Sequence, residues 1–513
     1  MAEEKKSRLY ALKPLIERWP AVTKPEGHVN FRTKILWTLI CLIFYFILTN
    51  VMIYGLSSFT IDLFEQYRFI MAGASGSIMH LGIGPIVTAS IILQLFVGAK
   101  IIKLDLTKKE DKAIYQGSQK VLVIVMIFVE AIPQIFGYLS PSDAFVGMVG
   151  GNLANAIIII QLVIGALLVF FMDELISKWG IGSGISLFIA AGVSQAIFTG
   201  LFSWLPVHGG GWGGWSLANP PAGVIPGTYY YATELTLSDM TSWGYQTVFI
   251  GSPRIGYENA IVPLIGTILI FFIVVYVESS RIELPLAHGK VRGARGRYPI
   301  RLIYASNIPV ILMSALLANI SMFSMLLWRS NLPLIGNQWW IGKFPEYGGT
   351  QAIGGGAWYL SSPGGVNHWL MPILAGGDGT HSSLQFALKV IIYLAIMIIG
   401  SILFAKFWIE TTDMGPSAVA RQIQSSGMQI PGFRRDPRVL RKVLERYIPV
   451  VTVIGGAAVG ALAGFADCVG TVGRASGTGV LLTVGIIIRL YEDIAKEQAI
   501  EMHPVLRGFF GNE

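Results

Sequence analysis

Glu130 stands inside the run LVIVMIFVEAIPQIF, an ionisable carboxyl among side chains that favour hydrocarbon. A charge in such a run is costly and marks a functional group by default; the alternative is a protonated carboxyl bonded to a neighbouring helix. Nothing else in the chain has the spacing of enzyme chemistry. There is no H-E-x-x-H, the run Gly377, Asp378 and Gly379 lies in a loop, and no Ser or Cys has an evident base. The runs GIGSGI and GTGV open apolar stretches instead of following strands, which argues against a phosphate-binding loop and for close helix packing. Cys41 and Cys468 supply neither a disulfide framework nor a metal cluster. No catalytic residue, metal or cofactor is therefore expected.

The elements that hold Glu130 are membrane spans. The 513 residues are 53% hydrophobic and 13% charged, with a mean hydropathy of +0.60, outside the usual range for a soluble domain. Apolar runs long enough to cross roughly 30 Å of hydrocarbon fall near 34–56, 77–98, 117–139, 148–172, 181–203, 259–278, 301–327, 385–410, 447–467 and 473–495. With the N-terminus in the cytoplasm, only Arg68, Arg254, Arg329, Lys343, Lys389 and Arg474 of the 38 Lys and Arg residues lie on the outer side. That asymmetry places both termini inside.

The start of the chain lacks the pattern of a cleaved signal peptide, and Leu9, Leu12, Leu15, Ile16 and Trp19 recur at helical spacing. Residues 1–33 are expected to include an amphipathic helix on the membrane surface. A first half, 34–203, precedes an external loop, 204–258. The second half, 259–495, carries inner basic loops at 279–300 and 411–446 and an outer loop at 328–384, and a tail follows at 496–513. Ten spans cut after the fifth give two halves of five that enter from opposite sides, the topology of an inverted repeat. No convincing residue-level repetition accompanies it.

Residues 57–77, SSFTIDLFEQYRFIMAGASGS, begin and end on the outer side. Asp62, Glu65 and Arg68, at roughly 2.5–3.5 kcal/mol each, prevent a crossing. Ile61, Leu63, Phe64, Tyr67, Phe69, Ile70 and Met71 make the stretch too apolar for a solvated loop. Two structures satisfy this: a re-entrant helix received by a cavity open to the outside, and a helix lying flat in the interface.

LGIGPIVTASIILQL, SKWGIGSGISLFIAAGVSQ, RIELPLAHGK with RYPIRLIYASNIPVIL, FWIETT, PGFRR and GTGVLLTV occur in this order. Through them the chain, from about residue 10 to 505, resembles the SecY family, channel-forming subunits of the Sec protein translocon, in its archaeal and eukaryotic branch. The resemblance implies an all-α polytopic membrane protein, ten transmembrane helices in two inverted five-helix halves with a re-entrant plug helix, here about 58–76 with Ile61, Phe64, Ile70 and Met71. It implies a channel for unfolded polypeptides with a sideways exit into lipid. Its aliphatic pore ring falls on Ile83, Val87, Ile185, Ile189, Ile311 and Leu482, and its lateral gate on Thr88, Glu130 and Asn319. Lys290, Arg292, Arg295 and Arg297 in one inner loop, and Arg434, Arg435 and Arg438 in the other, become docking residues for ribosomal RNA phosphates or a motor ATPase. The implied partners are SecE/gamma-type and beta-type small membrane subunits, the ribosome, signal sequences and nascent polypeptides, and the lipid bilayer; the implied location is the cell membrane. An ion-coupled secondary transporter is the rival, but such carriers place several charges near the midplane, where this chain offers little beyond Glu130.

Overall fold

Each expected span overlaps one long helix in the computed structural model: α1 (Phe31–Asn50), α2 (Gly84–Gly98), α3 (Lys109–Gly137), α4 (Gly151–Trp179), α5 (Gly184–Phe202), α6 (Ile261–Ser279), α7 (Ile308–Arg329), α8 (Ser383–Thr411), α9 (Pro437–Val469) and α10 (Gly477–Met502). The described residues are 8–27, 29–57, 72–99, 101–102, 104, 108–137, 139–207, 214–217, 219–252, 259–288, 295–301, 303, 305, 307–329, 338–345, 351–412, 414–425, 428–429, 437–473 and 475–502. Among them, eight helices are long and apolar enough to cross a membrane. The other two are α2, of 15 residues, and α10, which carries Arg489 at its middle and Glu492, Asp493, Lys496 and Glu497 in its second half.

α2 is short because its expected first turns are not helical. Pro85 fits the first turn, where no intrahelical N–H is needed, and Gly82 before it takes a φ of 54°. Residues 72–83 run as irregular backbone, which protein encloses from Gly76 onward. Ile53 N–H donates to Gly76 O and Ile78 N–H to Val51 O, both at 2.9 Å, and Ser77, Met79 and Ile83 are fully buried. α4 passes this stretch at Gly165, where a Cβ would lie 1.9 Å from the Ile78 carbonyl oxygen. Non-helical backbone at membrane depth persists only under such cover.

In the second half, α8 and α9 form the most extensive helix pair. Gly456, Gly460 and Gly464 recur every fourth residue on the face of α9 that meets α8; a Cβ at Gly460 would stand 2.6 Å from the Met397 carbonyl oxygen. Small residues at this spacing let backbones approach without lipid between them. One apolar cluster, containing residues of all ten helices or packed against them, joins the two halves. α1 and α10 meet on the side of their basic ends: Lys34 pairs with Glu497 at 2.7 Å, and Phe31 N–H donates to Glu501 at 2.6 Å.

Three features differ from the expected layout. The inner loops contain a small antiparallel sheet, β1 (Arg281–His288), β2 (Arg295–Arg301) and β3 (Met428–Gln429), in the order β2-β1-β3, so "all-α" holds for the spans but not for this appendage. Ile282, Leu284 and Leu286 alternate with Arg281, Glu283 and Pro285, a strand pattern readable in the sequence. The loop 411–446 is also partly helical, with Pro416–Ser425 a helix and α9 starting at Pro437. Finally, the N-terminal segment, Arg8–Leu12 and Lys13–Arg18, docks on α3. Tyr10 donates its hydroxyl to Asp111, which pushes the phenol up to about 12, and Ile16 occupies the space beside Gly117.

Gly460→Leu is expected to force α8 and α9 apart at a strain of about 1–3 kcal/mol or more. Heating the detergent-purified chain and measuring the monodisperse fraction will show an earlier loss than in the wild type; equal loss refutes this account of the contact.

Candidate functional site

The six aliphatic ring positions all sit near the starts of their helices. Ile83 is the N-cap of α2 with Val87 one turn on; Ile185 and Ile189 lie in the first two turns of α5, Ile311 in the first turn of α7 and Leu482 in the second of α10. Ile83, Val87, Ile189, Ile311 and Leu482 are members of one buried cluster, and Ile185 packs against it half-buried. Four helices from both halves thus deliver aliphatic groups to a common core. Val87, Ile185 and Ile311 also line a cavity of about 410 Å³ whose other walls include Ser90, Gln94, Gln119, Ser186 and Thr411. Tyr115, Ile308, Leu312 and Trp408 line it as well, so its wall mixes polar and apolar groups. An apolar collar offers no ligands to ions and resists wetting when narrow.

The three gate positions come together between α2, α3 and α7. Asn319 Nδ2 donates to Thr88 Oγ1 at 3.0 Å and to Ala315 O at 2.9 Å, while the Thr88 hydroxyl donates to Gly84 O at 2.9 Å. Glu130, 4% exposed, lies within hydrogen-bonding reach of Thr88; its Oε1 has no partner among the described residues. An unpartnered buried carboxyl oxygen carries a desolvation cost that a pairing elsewhere would relieve. The seam is therefore held by one neutral interhelical bond beside an acid with one unpartnered oxygen.

Sequence reasoning missed a second link between α2 and α3, Gln119 Nε2 donating to Ser90 Oγ at 2.6 Å. It also named Glu130 alone as a buried charge, whereas Glu174, Glu278, Lys389 and Asp467 are buried toward the ends of their helices, and Asp173 and Arg489 are half-buried in α4 and at the middle of α10. Glu174, 8% exposed, accepts from Lys178 Nζ at 2.7 Å, from Val22 N–H at 3.1 Å and from Lys120, tying the N-terminal segment to α3 and α4. Hydropathy treats such groups as loop-like because they flank the apolar centres.

The basic positions are only partly in view. Arg295 and Arg297 belong to β2, opposite Ala287 and Pro285 of β1, and Arg438 to the first turn of α9. Lys290, Arg292, Arg434 and Arg435 lie outside the described residues, as do Ile61, Phe64, Ile70 and Met71 of the expected plug. What the sheet adds is proximity: β3 of the second basic loop pairs with β1 of the first at Ala287↔Gln429 and His288↔Met428. The base of the hairpin is fixed to α10, since Arg281 and Arg301 both reach Glu492.

Comparison with known proteins agrees with this architecture. A family model described as SecY matches residues 77–491, and one described as the plug domain of Sec61p matches residues 43–76. The protein translocase subunit SecY of Haloferax volcanii is 48% identical over 98% of this chain and 99% of its own; that of Archaeoglobus fulgidus is 45% identical over 99% of each. A solved structure described as a protein conducting channel superposes with a TM-score of 0.75 at 38% identity, covering 96% of this chain and 98% of the other. Sec61 in the canine ribosome–channel complex from the endoplasmic reticulum gives a TM-score of 0.72 at 38% identity, covering 96% and 98%.

A double-mutant cycle of Thr88→Val and Asn319→Leu is expected to give a coupling of about 0.6–1.7 kcal/mol in thermal or chemical unfolding, the range of interhelical bonds in membranes. Additive effects would show that the bond contributes nothing across the seam.

Proposed function

The chain belongs to the SecY family, and we propose on that premise that it is the central subunit of a protein-conducting channel. It translocates unfolded polypeptides across the membrane and releases transmembrane segments sideways into lipid. The observation that carries this reading is that Val87, Ile185 and Ile311, from three helices of both halves, line one cavity, while Ile83, Ile189 and Leu482 are fully buried in the apolar cluster that joins the halves. In this reading the six form the pore ring. Aliphatic groups conform around any passing sequence while denying ions a binding site. The role is conduction, with no catalytic step assigned.

Thr88, Glu130 and Asn319 form the lateral gate. When an apolar signal sequence enters between α2 and α7 it replaces the Asn319–Thr88 bond with packing, so the bond sets how apolar the entrant must be. Residues 58–76, within the stretch matched by the plug model, would stopper the side opposite that cavity. The paired basic loops would meet ribosomal RNA phosphates in a salt-dependent manner; Arg434, the arginine of PGFRR, is the strongest choice. A motor ATPase is the other candidate for that surface. Exposed apolar faces on α1, with Leu36, Leu39 and Ile43, and on α6, with Ile265, Leu269 and Phe272, suit lipid and small SecE/gamma-type and beta-type subunits. The lysine and arginine asymmetry, with the joining of α1 to the end of α10, supports a cell membrane protein with both termini in the cytoplasm.

Two measurements test the reading. A cysteine placed at Ile83 or Ile311 is expected to crosslink to a cysteine in a ribosome-bound nascent chain during translocation; a folded protein that never does so is not the channel. In a series of graded signal sequences, Glu130→Leu or Asn319→Leu is expected to shift the hydrophobicity needed for insertion. An unmoved threshold removes both residues from the gate.

A further inference from the structure

The two halves share a local device at the start of their fifth helices. In the first half, Asp173 of α4 precedes Ser183, Gly184 and Ile185; in the second, Asp467 of α9 precedes Ser476, Gly477 and Thr478. Asp173 Oδ1 accepts from Ile185 N–H at 2.9 Å, with Gly184 N–H beside it. Asp467 Oδ1 accepts from Thr478 N–H at 2.8 Å, with Gly477 N–H beside it, and its Oδ2 accepts from the hydroxyls of Thr478 at 2.5 Å and Tyr393 at 2.7 Å. Each carboxylate thus satisfies N–H groups that the first turn of a helix leaves unpaired, and does so from the preceding helix. Ser183, the N-cap residue of α5, makes no side-chain bond itself; Ser476 Oγ accepts from Gly479 N–H at 3.0 Å, an addition peculiar to α10.

Glycine is required in both places. A Cβ at Gly184 would stand 2.6 Å from Asp173 Cα, and one at Gly477 would stand 2.1 Å from the Ala466 carbonyl carbon. Five positions after these glycines come Ile189 and Leu482, both fully buried, about 7.5 Å along the helix axis. Because the halves are inverted, one cap lies on the basic side of these residues and the other on the glycine-rich side. A second correspondence supports the match: Val87 and Ile311 each stand two residues after a first-turn proline, Pro85 and Pro309.

We propose that Asp173 and Asp467 are matched positioning residues that fix the height of Ile189 and Leu482 in the constriction, and with it the seal against ions. The proposal rests on the channel reading above and adds the groups that set the ring.

The test uses the full chain, purified with the subunits that accompany it, in planar bilayers, together with a secretory-precursor translocation assay. Asp173→Ala and Asp467→Ala are each expected to raise resting ion conductance about fivefold, the change that corresponds to losing a helix cap. Asp173→Asn and Asp467→Asn keep an accepting oxygen and are expected to stay within about twofold of wild type. Ser142→Ala, which removes the cap of the helix Asp143–Val149 and touches neither Ile189 nor Leu482, is expected to leave conductance unchanged. Alanine variants that translocate precursor and conduct as the wild type does would overturn the proposal, as would equal leakage from Ser142→Ala. If the alanine variants do not fold, Asp173→Glu and Asp467→Glu decide it: each keeps the charge but displaces the acceptor, so raised conductance supports the role and wild-type conductance refutes it. A wild-type complex that translocates no precursor sinks the channel reading and this proposal together, whereas variant behaviour against an active wild type bears on the caps alone.

Discussion

Backbone N–H and C=O groups at membrane depth must be paired inside the protein, and much of this structure follows from that constraint. Residues 72–83 are not helical, so their polar groups pair with the turn after α1 or within the stretch itself. Enclosing them obliges α4 to carry Gly165 at its crossing and delays the start of α2 to Gly84. A full-length second span would have filled the centre with a continuous helix. The late start brings a helix beginning, with Ile83 and Val87, into the middle of the bundle, where the starts of α5, α7 and α10 also contribute to the apolar cluster.

Helix beginnings are well suited to hold a narrow ring. Their first turns are the places where side chains from outside can grip the backbone, through unpaired N–H groups, or where proline fixes φ. Interiors of long apolar helices lack such handles and are held by packing alone. Here α2 and α7 use proline and α5 and α10 use a carboxylate from the helix before. The proposed ring positions are therefore among the most constrained points of their helices, while the α2–α7 seam depends on the bond from Asn319 to Thr88 and on packing.

The sequence disclosed the spans and the cost of Glu130, because these are properties of long runs and of charge. It did not disclose the ring: Ile83, Val87 and Leu482 sit in stretches where every neighbour is also apolar, and only the family resemblance picked them out. Internal repetition escaped notice for a related reason. What the halves share is a few residues at helix starts, Pro85 with Val87 and Pro309 with Ile311, or Asp173 with Gly184 and Asp467 with Gly477, scattered through long apolar segments that have diverged. The inner sheet was visible as alternation in RIELPL but was outweighed by the basic residues that follow it. The contact of β1 with β3 joins segments far apart in the chain, and no local pattern announces it.

The contrast between the two sides of the bundle has an electrolytic consequence. α1 and α10 are clasped by a charged pair, Lys34 with Glu497, and the hairpin base is held to α10 by Arg281 and Arg301 on Glu492. Such contacts weaken as ionic strength rises, the more so where solvent reaches them. The Asn319–Thr88 bond is buried and uncharged, so dissolved salt barely touches it. Changes in the surrounding medium thus fall on the clasp of α1 and α10 and on the base of the basic sheet. The α2–α7 seam stays indifferent to salt.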